Sequence, residues 1–229
     1  MAERPYTLLS CSVSLDGYLG DQTPRLALSN AADFDRVDQV RASCDAIMVG
    51  AVTVRTDNPR LLVRSQALRD ARRARGLPAS PMKITVTDRA NLDARSNFFT
   101  TGETEKLVYT SSGRVADARA RLGPVATIVD GGRRVRMRRL TEDLADRGVQ
   151  RLMVEGGGVV HTQFLADDLV DELQLVVAPI FVGDSSAPRF VTDGRFPWNA
   201  RRRARLAEVR QIGDVVLLRY ALSPRFRDG

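Results

Sequence analysis

Two stretches of this 229-residue chain carry residue types suited to holding a charged small molecule. One is Glu155-Gly156-Gly157-Gly158, which follows the apolar run Arg151 to Val154 and leads into a segment of helical character from Val159 to Ala166. Glycines let a backbone approach a ligand closely, and the free amides and dipole of a helix N-terminus favour negative charge. A dinucleotide pyrophosphate fits such a turn. The run is not the spaced Gly-x-Gly-x-x-Gly fingerprint, and three glycines also make a plain tight turn, so the residues alone leave both readings open. The other stretch is Asp45 to Arg64, where Ala46-Ile47-Met48-Val49 closes on Gly50 and is followed by Thr53, Asp57 and Arg64. Ligands of open α/β sheets collect at the C-terminal ends of strands. The same three residues also serve as ordinary local caps and surface charge.

Counting narrows the chemistry. His161 is the single histidine and Cys11 and Cys44 are the two cysteines, too few for a Cys/His zinc site or a two-histidine proton shuttle. Both cysteines sit in apolar surroundings and read as small buried hydrophobes in a reducing compartment. Net charge is +7, and every basic residue except Lys83 and Lys106 is arginine. Three dense clusters, Arg69 to Arg75, Arg133 to Arg139 and Arg201 to Arg205, contain no aromatic residue. A nucleic-acid surface interleaves stacking aromatics with its cations, so these clusters read as solvated faces with a general attraction for phosphorylated small molecules. No apolar run approaches the ~20 residues that span a bilayer, and Met1-Ala2-Glu3-Arg4-Pro5 has no leader-like apolar core. A cytoplasmic protein without nucleic-acid or membrane partners is expected.

The elements that must position these residues follow from the hydrophobic pattern. Tyr6 to Val13 predicts a strand ending at Ser14-Leu15-Asp16-Gly17, and Ser29-Asn30 starts a helix over Ala31 to Ser43. Ala46 to Val49 predicts a buried strand, Thr53 to Arg64 a loop or short helix, and the arginine-rich 65–81 a surface excursion. Strands are expected at Lys83 to Thr87, Lys106 to Thr110, Val125 to Val129 and Arg151 to Val154, with a helix at Arg138 to Arg147. Glu172 to Val182, Ala204 to Arg210 and Val215 to Leu222 are strand-like with no helix between them. One α/β domain is predicted, with a mostly parallel sheet and antiparallel C-terminal strands.

Several motifs together resemble the reductase domain of the riboflavin-biosynthesis pyrimidine reductases. They are Ser14-Leu15-Asp16-Gly17, Arg41-Ala42 before Asp45 to Gly50, Thr53 with Asp57-Asn58-Pro59-Arg60-Leu61, Met153 to Gly158, Leu169 to Leu173, Ala178-Pro179 and Gly183. The match runs in order from about Tyr6 to Leu222. It implies a dihydrofolate-reductase-like three-layer fold, NADPH as cofactor, a phosphorylated aminopyrimidine as substrate and a homodimer. It further implies Thr53 and Asp57 near the nicotinamide ribose, and Gly156, Gly157, Gly158, Val159, Val160, His161 and Thr162 around the pyrophosphate. Arg41, Leu61, Arg64 and Glu155 are expected to face the substrate. Arg41 and Arg64 offer planar donor forks to a ribose phosphate, and Glu155 can accept from amino and ring N–H groups. Asp57 and Glu155 are the candidate catalytic residues, with water as the other possible proton donor, and the sequence does not choose among them.

A 2′-phosphate needs a cation and hydroxyls, for which Ser111 and Arg114 after the Lys106 to Thr110 strand are candidates, with Arg89 as a second. Ser10 stands where many members carry Lys or Asn, and Pro24-Arg25-Leu26-Ala27 does not match their usual substrate contacts. A same-fold reductase of a folate-like or specialised metabolite is therefore the alternative, and a non-enzymatic nucleotide or nucleic-acid binder the second. The zinc deaminase domain found beside many relatives is not expected.

Overall fold

Ala46–Gly50 is buried at all five positions, the pattern of a strand covered on both faces of a parallel sheet. The structure is a computed structural model and describes residues 3–21 and 26–227, so Pro24 and Arg25 lie outside the described residues. In chain order its elements are β1 (Tyr6–Val13), α1 (Ala31–Ala42), β2 (Ala46–Gly50), α2 (Ala51–Asp57), α3 (Gln66–Ala74), β3 (Met82–Thr87), α4 (Asn97–Thr100) and β4 (Lys106–Thr110). A 3-10 turn at Ser112–Arg114 leads to α5 (Val115–Leu122), β5 (Thr127–Asp130), α6 (Met137–Asp146), β6 (Arg151–Gly156), α7 (Gly158–Ala166), β7 (Glu172–Val177), β8 (Arg205–Ile212) and β9 (Val215–Ala221). The chain forms two compact units, one built on Asp38–Met153 and the other on Tyr6–Val37 and Val154–Gly229.

In the first unit β2, β3, β4 and β5 pair in that order, all parallel, with Met48 opposite Ile84 and Thr85 opposite Val108. Parallel pairing brings the C-terminal ends of these strands to one edge, where α2 starts directly after Gly50 and the Ser112–Arg114 turn follows Thr110. Two buried cations lock the connections. Arg72 of α3, 1% exposed, donates to the carbonyls of Pro78 (2.8 Å), Ala42 (2.8 Å) and Cys44 (2.7 Å). The buried Lys83 donates from Nζ to Phe98 O (3.0 Å) and Thr101 O (2.6 Å), satisfying carbonyls at the end of α4. Segment 65–81, expected as a surface excursion, thus contains a helix, because one of its arginines is a tether rather than a solvated charge.

In the second unit β1 pairs parallel with β7, which pairs antiparallel with β9, and β9 antiparallel with β8. The mostly parallel pattern with antiparallel C-terminal strands is as the sequence predicts. The alternating burial of β7 sends Val176 into a core with Leu28, Ala178, Val215 and Leu217. Its buried Glu172 accepts from Arg219 Nε (2.6 Å), Gln174 Nε2 (2.8 Å) and the Tyr6 hydroxyl (2.7 Å). Burial alone would raise this carboxyl, but those bonds hold it below its ordinary value.

Candidate active site

On α2 of the first unit, Thr53 and Asp57 stand one helical turn apart and share a face. Asp57 is exposed, and its carboxylate accepts from Thr56 Oγ1 at 2.7 Å. The helix ends on Asn58, whose φ of 44° is left-handed, and Leu61 repeats that conformation at φ 49° while only 3% exposed. A branched residue rarely adopts positive φ, and such strain persists only where the surroundings over-determine it.

Those surroundings are side chains. Arg41 Nη1 donates to Leu62 O (3.4 Å), Val63 N to Ser80 Oγ (3.0 Å), and Arg69 Nη1 to the carbonyls of Val63 (3.0 Å) and Arg64 (2.7 Å). The 3% exposed Asp38 accepts from the amides of Arg64 (2.6 Å) and Ser65 (2.8 Å), one carboxylate oxygen each. A segment with no strand partner among these bonds is therefore fixed by side chains from α1, α3 and the Ser80 turn. Leu61 and Arg64 lie on it, Arg41 of α1 reaches it through Leu62 O, and the Arg64 side chain is half exposed.

At the C-terminal end of β4, Ser111 precedes the 3-10 turn and Arg114 pairs with Asp117 at 3.3 Å. Ser112 Oγ donates to Asp130 (2.7 Å), which also accepts from Gly132 N (2.9 Å), and these bonds lower the Asp130 carboxyl below its ordinary value. The Asp130-Gly131-Gly132 turn thus lies beside Ser112, a neighbourhood that sequence reasoning missed because no motif marks it.

In the second unit, half-buried Glu155 is the penultimate residue of β6, and Gly157 turns into α7 at φ 88° and ψ 116°, a conformation open to glycine. The N-cap Gly157 has no side chain to cap the helix with, and Val159 in the first turn is 59% exposed. Backbone amides at an accessible helix N-terminus fit a phosphate-bearing cofactor. Gly158 is required for a different reason, since a Cβ there would lie 2.2 Å from Arg189 O. Thr162 Oγ1 donates to Gly158 O (2.7 Å) and accepts from Thr192 N (2.8 Å). The buried His161 lies 3.3 Å from Phe190 O through Nδ1, and burial pushes its imidazole from 6.5 to about 4. The side chains of His161 and Thr162 therefore hold segment 189–192, leaving backbone amides as the polar groups of the first turn that a ligand could use. Across that segment, Arg189 stacks on Tyr18 at 4.5 Å and donates to its hydroxyl at 2.7 Å. No motif in the sequence marks Arg189, Phe190 or Thr192.

Residues 5–218 match the family model of the RibD C-terminal domain. The chain is 34% identical over 225 residues to the 2,5-diamino-6-ribosylamino-4(3H)-pyrimidinone 5′-phosphate reductase of Archaeoglobus fulgidus, covering 97% of this chain and 99% of that relative. A protein of the same description from Methanothermobacter thermautotrophicus is 34% identical over 195 residues, covering 83% of this chain and 85% of that one. Among solved structures, a pyrimidine reductase-like protein from Corynebacterium diphtheriae matches with a TM-score of 0.83 at 22% identity, over 95% of this chain and 91% of the other. RibD of Acinetobacter baumannii matches with a TM-score of 0.76 at 24% identity, over 95% of this chain and 58% of that chain. These likenesses bear out the dihydrofolate-reductase-like fold.

Proposed function

Because the chain belongs to the RibD C-terminal domain family, we propose that it reduces 2,5-diamino-6-ribosylamino-4(3H)-pyrimidinone 5′-phosphate to the ribityl product with NADPH. The observation that carries this reading is the 34% identity to a reductase of that substrate along 99% of its length. The deaminated counterpart, 5-amino-6-(5-phosphoribosylamino)uracil, is the competing substrate. When bound, a reduced nicotinamide supplies hydride to the former anomeric carbon of the opened aminoribose.

The chain's own contribution is to hold, orient and exclude water. In this reading Thr53 and Asp57 take the nicotinamide ribose, and the amides of Gly158, Val159 and Val160 take the pyrophosphate. Ser111 and Arg114 take the 2′-phosphate. Arg64, on its clamped backbone, and Arg41 take the substrate phosphate, Leu61 lies beside the substrate, and Glu155 accepts from the amino groups. Asp57 and Glu155 are the protein's candidates for managing the proton. A homodimer in the cytoplasm belongs to the same reading, in accord with the free thiols of Cys11 and Cys44.

Titration with NADPH and NADH, followed by nicotinamide fluorescence, tests the cofactor. Adding each pyrimidine and watching the reduced-nicotinamide absorbance tests the reaction. Oxidation with the diamino substrate is expected. Binding without oxidation moves the substrate elsewhere, and absence of binding removes the cofactor assignment.

A further inference from the structure

Side chains bond the backbone of residues 62–65, and among those side chains Asp38 is the buried anion. Its two oxygens accept consecutive amides, Arg64 N at 2.6 Å and Ser65 N at 2.8 Å, and its Oδ1 lies 3.9 Å from Arg64 Nε. Charge-assisted bonds of this kind are about twice as strong as neutral ones, and a 3% exposed carboxylate has little water to exchange them for. The consequence reaches one residue outward, because fixing the Arg64 amide fixes the direction in which its half-exposed side chain leaves the backbone. We propose that Asp38 is a positioning residue for the substrate phosphate, acting by holding Arg64 in its binding direction. The inference rests on the reading of Arg64 as a phosphate contact.

Ser65 is also the N-cap of α3, accepting from Leu68 N at 3.4 Å, so Asp38 has a competing role as a plain support for the start of that helix. The two roles differ in what they do to the substrate. A support changes stability without regard to which substrate is present. A positioning residue changes KM for the phosphorylated pyrimidine and spares the same compound without its 5′-phosphate.

The test is steady-state kinetics of Asp38→Asn, Asp38→Ala, Arg64→Ala and the Asp38→Ala/Arg64→Ala pair, with cofactor affinity measured by fluorescence as the check on folding. Asp38→Asn keeps the size and one acceptor, and it carries the test where Asp38→Ala does not fold. Expected are an about tenfold rise in KM for the phosphorylated substrate with kcat within about twofold, no rise for the dephosphorylated one, and less than about twofold further loss when Asp38→Ala is added to Arg64→Ala. Arg64→Ala with KM unchanged would overturn the phosphate reading of the site, and this inference with it. A raised KM in Arg64→Ala with no change in Asp38→Asn, an equal effect on both substrates, or additive losses in the pair would overturn the positioning role alone.

Discussion

At the residue scale, the buried imidazole of His161 makes folding sensitive to acid. Its folded value, about 4, lies below the ordinary 6.5, so between those values the unfolded chain binds a proton that the folded chain refuses. Stability is full above about pH 6.5 and falls as pH drops toward 4, by up to about 3 kcal/mol. Urea unfolding at pH 7 and pH 5 should show the loss, and His161→Leu should remove that part of the slope. Glu172 acts in the same direction at lower pH, because its depressed carboxyl stabilises the fold above its unfolded value and loses that contribution as it protonates. Gly158→Ala is expected to cost roughly 1–3 kcal/mol, since its Cβ would meet Arg189 O at 2.2 Å and the obstacle is backbone. A thermal melt measures this cost, and an unchanged midpoint would mean that segment 189–192 yields freely.

At the element scale, α3 depends on Arg72 more than on its own sequence. The helix is short, and isolated helices of this length are marginal in water. Three carbonyls from outside α3 converge on one guanidinium, and Arg72→Leu would leave them without that donor. A loss of about 3 kcal/mol or more is expected from denaturant unfolding. The helix also carries Arg69, whose bonds to Val63 O and Arg64 O hold the strap before it. A variant that loosens α3 should therefore weaken substrate binding before cofactor binding, which parallel measurements of KM and cofactor affinity would show. At the other site, α7 combines a glycine turn at its start with side chains that bind segment 189–192, so its exposed first turn rests on a fixed support.

For the whole molecule, a net charge of +7 carried almost wholly by arginine sets the response to salt. Some of those arginines are already paired: Arg72 and Arg219 inside the protein, to carbonyls and to Glu172, and Arg202 at the surface, to Asp168. The rest give a positive field that attracts phosphorylated substrates and is screened at moderate ionic strength. KM for the phosphorylated pyrimidine should rise several-fold between low and physiological salt while kcat holds. Retention on duplex DNA should vanish at physiological salt, whereas persistent retention would favour a nucleic-acid role. Among the described residues no helix is long and apolar enough to cross a membrane.

The sequence by itself determined the order of the strands, the parallel character of the sheet and its antiparallel end, because those follow from local hydrophobic periodicity. It also marked Gly50, Thr53, Asp57 and the Gly156 to Gly158 turn, since tight turns and strand ends leave their signature in adjacent residues. It left α3, α4 and α5 unassigned. The arginine-rich polarity of α3 looks like solvent exposure until Arg72 is seen buried, and the helical Val115–Leu122 lies in a stretch read only for its flanking strands. The clamps were decided by the tertiary structure alone. Asp38 meets Arg64 across 26 positions, Ser80 meets Val63 across 17, and Thr162 meets Thr192 across 30. A pattern confined to one helix or strand cannot encode such pairs. They exist because folding buries backbone groups that no sheet or helix satisfies, and each such group must find a partner from whichever side chain the packed elements bring to it.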